Sequence, residues 1–259
     1  MKTRWLTVAL LLIAAGQSLA DTTFQPFVLA SINDTPLAAQ TAATRNALEA
    51  GGFTVAGEYA PLDNARVIVV TSDALLAVAA QSPRGGYAAG QRVSVSERDG
   101  KTEVAFVNPL YIQHAYRLAG DMQPVYDRLT AALGEVDTFG TEDGMSAKKL
   151  AKYNYKPLME KFDDPYELGR FDSHEAAVAA VEEGLARDGD ALTQVYRIDV
   201  PDTDEVVIGI GMKAVNEDDI DIDEAHQLSI VDFEGYSKVA YFPYEVLVRG
   251  QDVEALHMR

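Results

Sequence analysis

FVLASINDTPLAAQTAATRNALEAGGFTVAGEYAPLDNARVIVVT, residues 27–71, decides the fold class. Phe27–Ile32 reads as a strand. Asn33-Asp34-Thr35-Pro36 then reads as a helix start, because Thr35 can accept from first-turn amides and Pro36 needs no amide partner there. Leu37, Thr41, Thr44 and Leu48 recur at helical spacing until Gly51-Gly52, where a left-handed stop is available. Phe53–Tyr59 returns as a strand, and Arg66–Thr71 is a second, more buried one.

Working outward, Ser72–Gln81 reads as a short helix. Arg92–Ser96 and Lys101–Val107 alternate apolar and polar residues and join through Arg98-Asp99-Gly100, a hairpin signal. Asn108-Pro109 opens a helical region in which Tyr111, Ala115 and Leu118 share one face, as do Val125, Leu129 and Leu133 further on. Past residue 165 the plan recurs. Leu168–Phe171 is strand-like, and Ser173 caps a helix lined by Val178, Val181 and Leu185 that stops at Asp188-Gly189. Leu192–Val200 and Glu205–Met212 read as strands. After an acidic stretch, Glu217–Glu224, four further strand candidates follow: Leu228–Asp232, Lys238–Phe242, Glu245–Arg249 and Asp252–Met258.

The same order of elements twice suggests a duplication. The later strands can be aligned in two ways. Val93–Val107 lies without gaps on Leu228–Phe242, or Arg92-Val93-Ser94-Val95 matches Glu245-Val246-Leu247-Val248 with Gly100 and Gly250 nearly in step. The second is preferred because it keeps the same elements ahead of the hairpin in each copy. The expected fold is α+β: two tandem two-layer sandwiches of mainly antiparallel sheet with helices on one face. The first covers residues 21–140 and the second 166–259, the latter without a final helix. Residues 141–165 form the linker, whose lysines at 148, 149, 152, 156 and 161 suggest docking on the acidic second half.

Residues 1–20, MKTRWLTVALLLIAAGQSLA, combine a basic start at Lys2 and Arg4, an apolar run and small residues at Ser18 and Ala20, the pattern of a secretory leader. The expected mature chain begins at Asp21 in the periplasm, with no stable membrane insertion after the leader is removed. The formal charge of the whole chain is −18 and becomes −20 once the two basic leader residues go. That sign excludes a sequence-independent grip on nucleic acid. With no cysteine, disulfides, thiolate nucleophiles and Cys-ligated metals are excluded as well.

Three constellations carry candidate chemistry. Asp219, Asp221 and Asp223 alternate as cation-binding carboxylates can, with His226 close by, so a divalent cation is the one cofactor suggested; otherwise the cofactor is unknown. A calcium-loop reading from Asp219 fails, because Glu224 stands at its sixth position and Ile230 at its twelfth. Gly209-Ile210-Gly211 resembles a dinucleotide turn, but an acidic stretch follows where an apolar helix is required. Tyr153, Tyr155, Phe162, Tyr166 and Phe171 either line a cleft between the halves or glue the linker to them.

The order of elements resembles the bacterial family called domain of unknown function 302. The resemblance rests on Gly52-Phe53-Thr54-Val55, the buried Val67–Val70, the hairpin Arg92–Val107 and the step Asn108-Pro109, and on a similar linker over Tyr153–Phe171. It implies an α+β fold of exported, uncharacterised proteins and no established activity. Family members often carry a Leu-Pro-Cys step before the hairpin. Ala89-Gly90-Gln91 and Phe242-Pro243-Tyr244 stand there here, without a thiol. Tyr153, Tyr155, Tyr166 and Tyr244 are the ligand-binding candidates, and none is assigned a catalytic role. The expected function is that of a periplasmic non-catalytic binding or accessory protein taking a small molecule, a cation or a periplasmic partner protein. The alternative is a hydrolase or other enzyme using carboxylates at the seam between the halves.

Overall fold

The computed structural model describes residues 22–154, 156–232 and 234–257. The expected leader, residues 1–20, lies outside them. Among the described residues no helix is long and apolar enough to cross a membrane.

In the first half, β1 (Thr23–Phe24), β2 (Phe27–Asn33), α1 (Leu37–Ala50), β3 (Thr54–Tyr59), β4 (Ala65–Thr71) and α2 (Asp73–Ala79) follow in order. Then come β5 (Gln91–Arg98), β6 (Lys101–Val107), α3 (Pro109–Ala115), α4 (Gln123–Leu133) and β7 (Asp137–Phe139). The connection carries β8 (Met145–Ser146) and α5 (Ala147–Leu150). The second half comprises β9 (Pro165–Arg170), α6 (His174–Arg187), β10 (Leu192–Val200), β11 (Glu205–Met212), α7 (Glu224–Val231), β12 (Tyr244–Arg249) and β13 (Asp252–Leu256).

Two antiparallel sheets result, ordered β3-β4-β5-β6-β2-β7 and β10-β11-β12-β13-β9. Apart from β7 the two orders correspond strand for strand. The β5–β6 and β12–β13 hairpins thus hold equivalent places, the second of the two alignments above. Helix starts follow the expected logic where a side chain can reach. The Ser72, Asn108 and Ser173 side chains accept from Leu75 N, Leu110 N and Ala176 N. Thr35 does not cap α1. Its own amide donates to Asn33, and the free amide of Leu37 is taken instead by Glu97 of β5 at 3.1 Å.

Strand alternation builds the layers. Ile68, Val70, Val93 and Val95 point to one face of the first sheet, where Leu48 of α1 and Leu129 of α4 cover them. Val206, Ile208, Val246 and Val248 face α6 in the same manner. The intervening residues, Val67 and Val69 from one sheet and Tyr196, Ile198, Val207 and Leu247 from the other, meet in a third core. The molecule is therefore layered helix, sheet, sheet, helix, and the seam is a sheet-on-sheet contact. Where β3 passes β10, a Cβ on Gly57 would lie 2.2 Å from the Val195 carbonyl oxygen, so only glycine permits that approach.

Two expectations are corrected. Leu228–Asp232 and Lys238–Phe242 are not strands: the first lies mostly in α7 and the second includes a 3-10 turn at Val239–Tyr241. β11 is already paired on both sides, by β10 and β12, so no sheet edge is open to them there. The Asp223 carboxylate also caps α7, accepting from His226 N at 2.9 Å. The linker, moreover, docks on the first half rather than on the second. Met145 and Leu150 are buried in the first half's outer core, with Tyr153 and Phe162 packed against it, while Lys148, Lys149 and Lys152 are exposed. Apolar burial outweighs the attraction between exposed charges.

Candidate functional site

The two sheets present charges to each other at the seam. Arg92 is the second residue of β5 and Glu245 the second of β12, and strand alternation turns both away from the outer cores and toward the opposite sheet. Their ion pair spans 3.4 Å, with side chains 12% and 7% exposed. Tyr196 of β10 donates a hydrogen bond to Glu245 Oε1. A Cβ on Gly209 would fall 2.0 Å from Cε1 of Tyr196, so the missing side chain is the slot in which this ring lies.

Burial pushes the Glu245 carboxyl upward from its ordinary range, opposed by the charge of Arg92 and the hydroxyl of Tyr196. Burial is the largest influence on Arg92 and works against its charge, but Glu245 together with Tyr116, Tyr196 and Tyr241 outweighs it and holds the guanidinium ionised. The phenols of Tyr196, Tyr116, Tyr241 and Tyr244 are all raised, in each case chiefly by burial, and stay neutral donors.

Around this pair the seam opens into three concavities. A cavity of about 60 Å³ is bounded by Arg92, Glu245, Tyr116, Tyr241, Tyr244 and His257. A cavity of about 410 Å³ shares Arg92, Tyr116, Tyr241 and His257 with it and continues between Phe27, Ile112, Ala115, Tyr153 and Phe162. A third, of about 640 Å³, shares Tyr241 and Tyr244 with the smallest and is walled mainly by apolar residues such as Ile222, Ile230 and Val231, with Asp221, Gln227 and Lys238 among them. Tyr241 borders all three. Two of them have the size of small-molecule sites, mainly apolar with a few polar groups.

The predicted residues divide between site and scaffold. Tyr153 stacks on Phe162 with ring centroids 5.0 Å apart and lines the 410 Å³ cavity. Tyr244 lines the smallest and largest cavities, its hydroxyl donating to the Leu256 carbonyl at 2.8 Å. Tyr166 is half exposed and abuts the ring of His257, which borders the cleft. Tyr155 lies outside the described residues. Phe171 packs in the outer core beneath α6, remote from the seam core.

The metal candidates are not gathered into a site. Asp223 is held as the α7 cap. Although burial opposes its charge, the amides of Ala214 and His226 hold its carboxyl below the ordinary range. Asp219 accepts from the Asn216 side chain, and Asp221 faces the largest cavity. Among the described residues no three His, Asp or Glu side chains converge as a metal ion requires.

Arg92, Glu245, Tyr116, Tyr196, Tyr241 and His257 were absent from the expected site. The preferred alignment nevertheless set Arg92 opposite Glu245. Opposite charges at equivalent positions of two apolar strands were the available signal.

No family model matches the chain, and no curated protein matches it. Among solved structures it is similar to one described as the crystal structure of uncharacterized conserved protein DUF302 from Bacillus stearothermophilus. Identity to that structure is 16%, the similarity covers 43% of this chain and 97% of the other, and the TM-score is 0.37.

Proposed function

We propose that the protein is an exported, non-catalytic binding protein that takes a small apolar or amphiphilic molecule into the cleft between its sheets. One observation carries this reading: the two large cavities and the small one share Tyr241, so a mainly apolar space reaches a buried polar floor. The leader-like residues 1–20 support export. The common strand order of the two sheets supports descent from a doubled unit whose junction became the cleft.

The test uses N-phenyl-1-naphthylamine, a neutral dye that brightens in apolar surroundings. Saturable brightening at one dye per chain is expected, and Ala115→Trp, which fills the 410 Å³ cavity, should abolish it while leaving the far-ultraviolet circular dichroism unchanged. Absence of brightening would refute the cleft as the site, and brightening that Ala115→Trp leaves intact would refute the 410 Å³ cavity as the place of binding. Turnover of an ester or peptide added to the same protein would favour the hydrolase reading instead.

A further inference from the structure

The polar floor of the cleft narrows the class of ligand. Arg92 is buried, permanently charged and borders both the 60 Å³ and the 410 Å³ cavities. A guanidinium carries five donors. Among the described residues its one ionic partner is Glu245, at 3.4 Å through a single carboxylate oxygen. The other oxygen of Glu245 is occupied by the Tyr196 hydroxyl. His257 borders the same two cavities, and its Nε2 is buried without a hydrogen-bond partner among the described residues. Tyr116, whose hydroxyl accepts from Arg92 and keeps its own proton to donate, and the partly exposed Tyr241 complete the wall. Donors are thus in excess at the floor, and a buried donor left unmade is costly.

Charge selects further. A cation would be drawn by the −18 of the whole chain and by the tyrosine faces. The long-range field is screened within about 8 Å at physiological salt, whereas Arg92 borders the cavity itself. The local guanidinium therefore decides against a cation. A dianion such as a phosphate monoester would face a single cation beside the carboxylates of Glu245 and, further along the seam, Glu254 and Glu205. One negative charge, spread over a planar pair of oxygens, matches the fork of one arginine. The wall beyond, from Ile112 and Ala115 to Tyr153 and Phe162, is apolar.

Resting on the cleft as the binding site, we infer that the ligand is a monocarboxylate with an apolar tail, its carboxylate on Arg92 and His257 and its tail in the 410 Å³ cavity. Glu245 holds the guanidinium in place without exhausting its donors, and its upward-shifted carboxyl eases the approach of a second anion.

The experiment displaces bound N-phenyl-1-naphthylamine with dodecanoate, dodecanol and dodecyltrimethylammonium, matched in chain length. Dodecanoate is expected to compete at least about tenfold more strongly than dodecanol, with the ammonium weakest. In the doubly neutral variant Arg92→Gln/Glu245→Gln the ratio of carboxylate to alcohol should fall to about one, and in His257→Leu it should fall severalfold. Equal competition by dodecanoate and dodecanol in the parent protein, or strongest competition by the ammonium, would overturn the carboxylate assignment and leave the cleft standing. A parent protein that binds the dye while no dodecyl compound displaces it would overturn the assignment too. Failure to bind the dye at all would instead remove the cleft reading on which the assignment rests. Either variant retaining the full parental ratio would overturn the role given to its residue.

Discussion

The seam holds two arginine–glutamate arrangements, each with a buried carboxylate, that differ in how completely they are satisfied. At one, the loop after α2 is gripped by the second sheet. Arg84 Nε donates to Glu254 Oε1 at 2.7 Å, the amides of Arg84 and Gly86 donate to the two oxygens of Glu205 at 2.7 and 2.9 Å, and the Tyr87 hydroxyl donates to the Glu254 carbonyl. At the other, Arg92 meets Glu245 at 3.4 Å and borders open space. The first uses charge to fasten two halves together. The second leaves donors over, and cavities gather around it. A buried ion pair is weak support for stability unless hydrogen bonds complete it, so the two places serve different ends.

The largest effect that would test this contrast is expected at Glu205. Glu205→Ala strands the buried amide of Gly86 and the partly buried amide of Arg84 and should cost about 3 kcal/mol, read as a lowered midpoint in urea unfolding. A change below about 1 kcal/mol would show that the loop is not fastened there.

Next comes a contact intermediate between the two. Glu224 opens α7, is 3% exposed and accepts from the Tyr59 hydroxyl of the first sheet at 3.2 Å. Burial raises its carboxyl from 4.5 to about 7. The folded protein therefore holds this proton more tightly than the unfolded chain does. The associated stability is complete below pH 4.5 and is lost as pH rises through about 7. The slope is limited to about 1.4 kcal/mol per pH unit within that window. Glu245 and Glu103, also raised chiefly by burial, act in the same sense. Glu224→Gln should flatten this part of the stability–pH curve, and an unchanged slope would assign it elsewhere.

A smaller effect is expected at the open end. Arg92→Met removes one partner from Glu245, but that carboxyl can take up a proton, so the loss should be about 1.5 kcal/mol rather than the 3–5 kcal/mol typical of a broken buried pair. The double variant Arg92→Met/Glu245→Gln should lie within about 1 kcal/mol of the parent. A double variant as damaged as Glu205→Ala would erase the contrast. The smallest shift belongs to Tyr59→Phe, which removes one hydrogen bond worth about 1 kcal/mol across the seam, measurable by thermal unfolding at pH 8.

Much of the scaffold could be read locally. Leu192–Val200 and Glu205–Met212 are strands over those same residues, and Ser173 caps α6 as its position requires. Failures arose where the decisive information was not local. The run Leu228–Asp232 has a strand's composition, but both flanks of β11 were already taken. The start of α1 is satisfied by Glu97, sixty positions away, a partner that no cap pattern reveals. At the site, aromatic content pointed to Tyr153 and Tyr244. Arg92 and Glu245 stayed hidden because each alone is an ordinary charged residue near a strand start. Their meaning depends on the register that brings one sheet onto the other.

The two-residue ribbon of β1 and β8 pairs Phe24 with Met145 and Thr23 with Ser146. Met145 is buried and forms part of the wall of the 410 Å³ cavity, whereas Ser146 is not among its lining residues. Side chains alternate along a strand, so a slip of one position would turn the thioether out and bring the hydroxyl in. The character of the chamber is thereby tied to the threading of residues 22–26 past the connection between the two halves, and lengthening or trimming that segment is a handle on what the interior will admit.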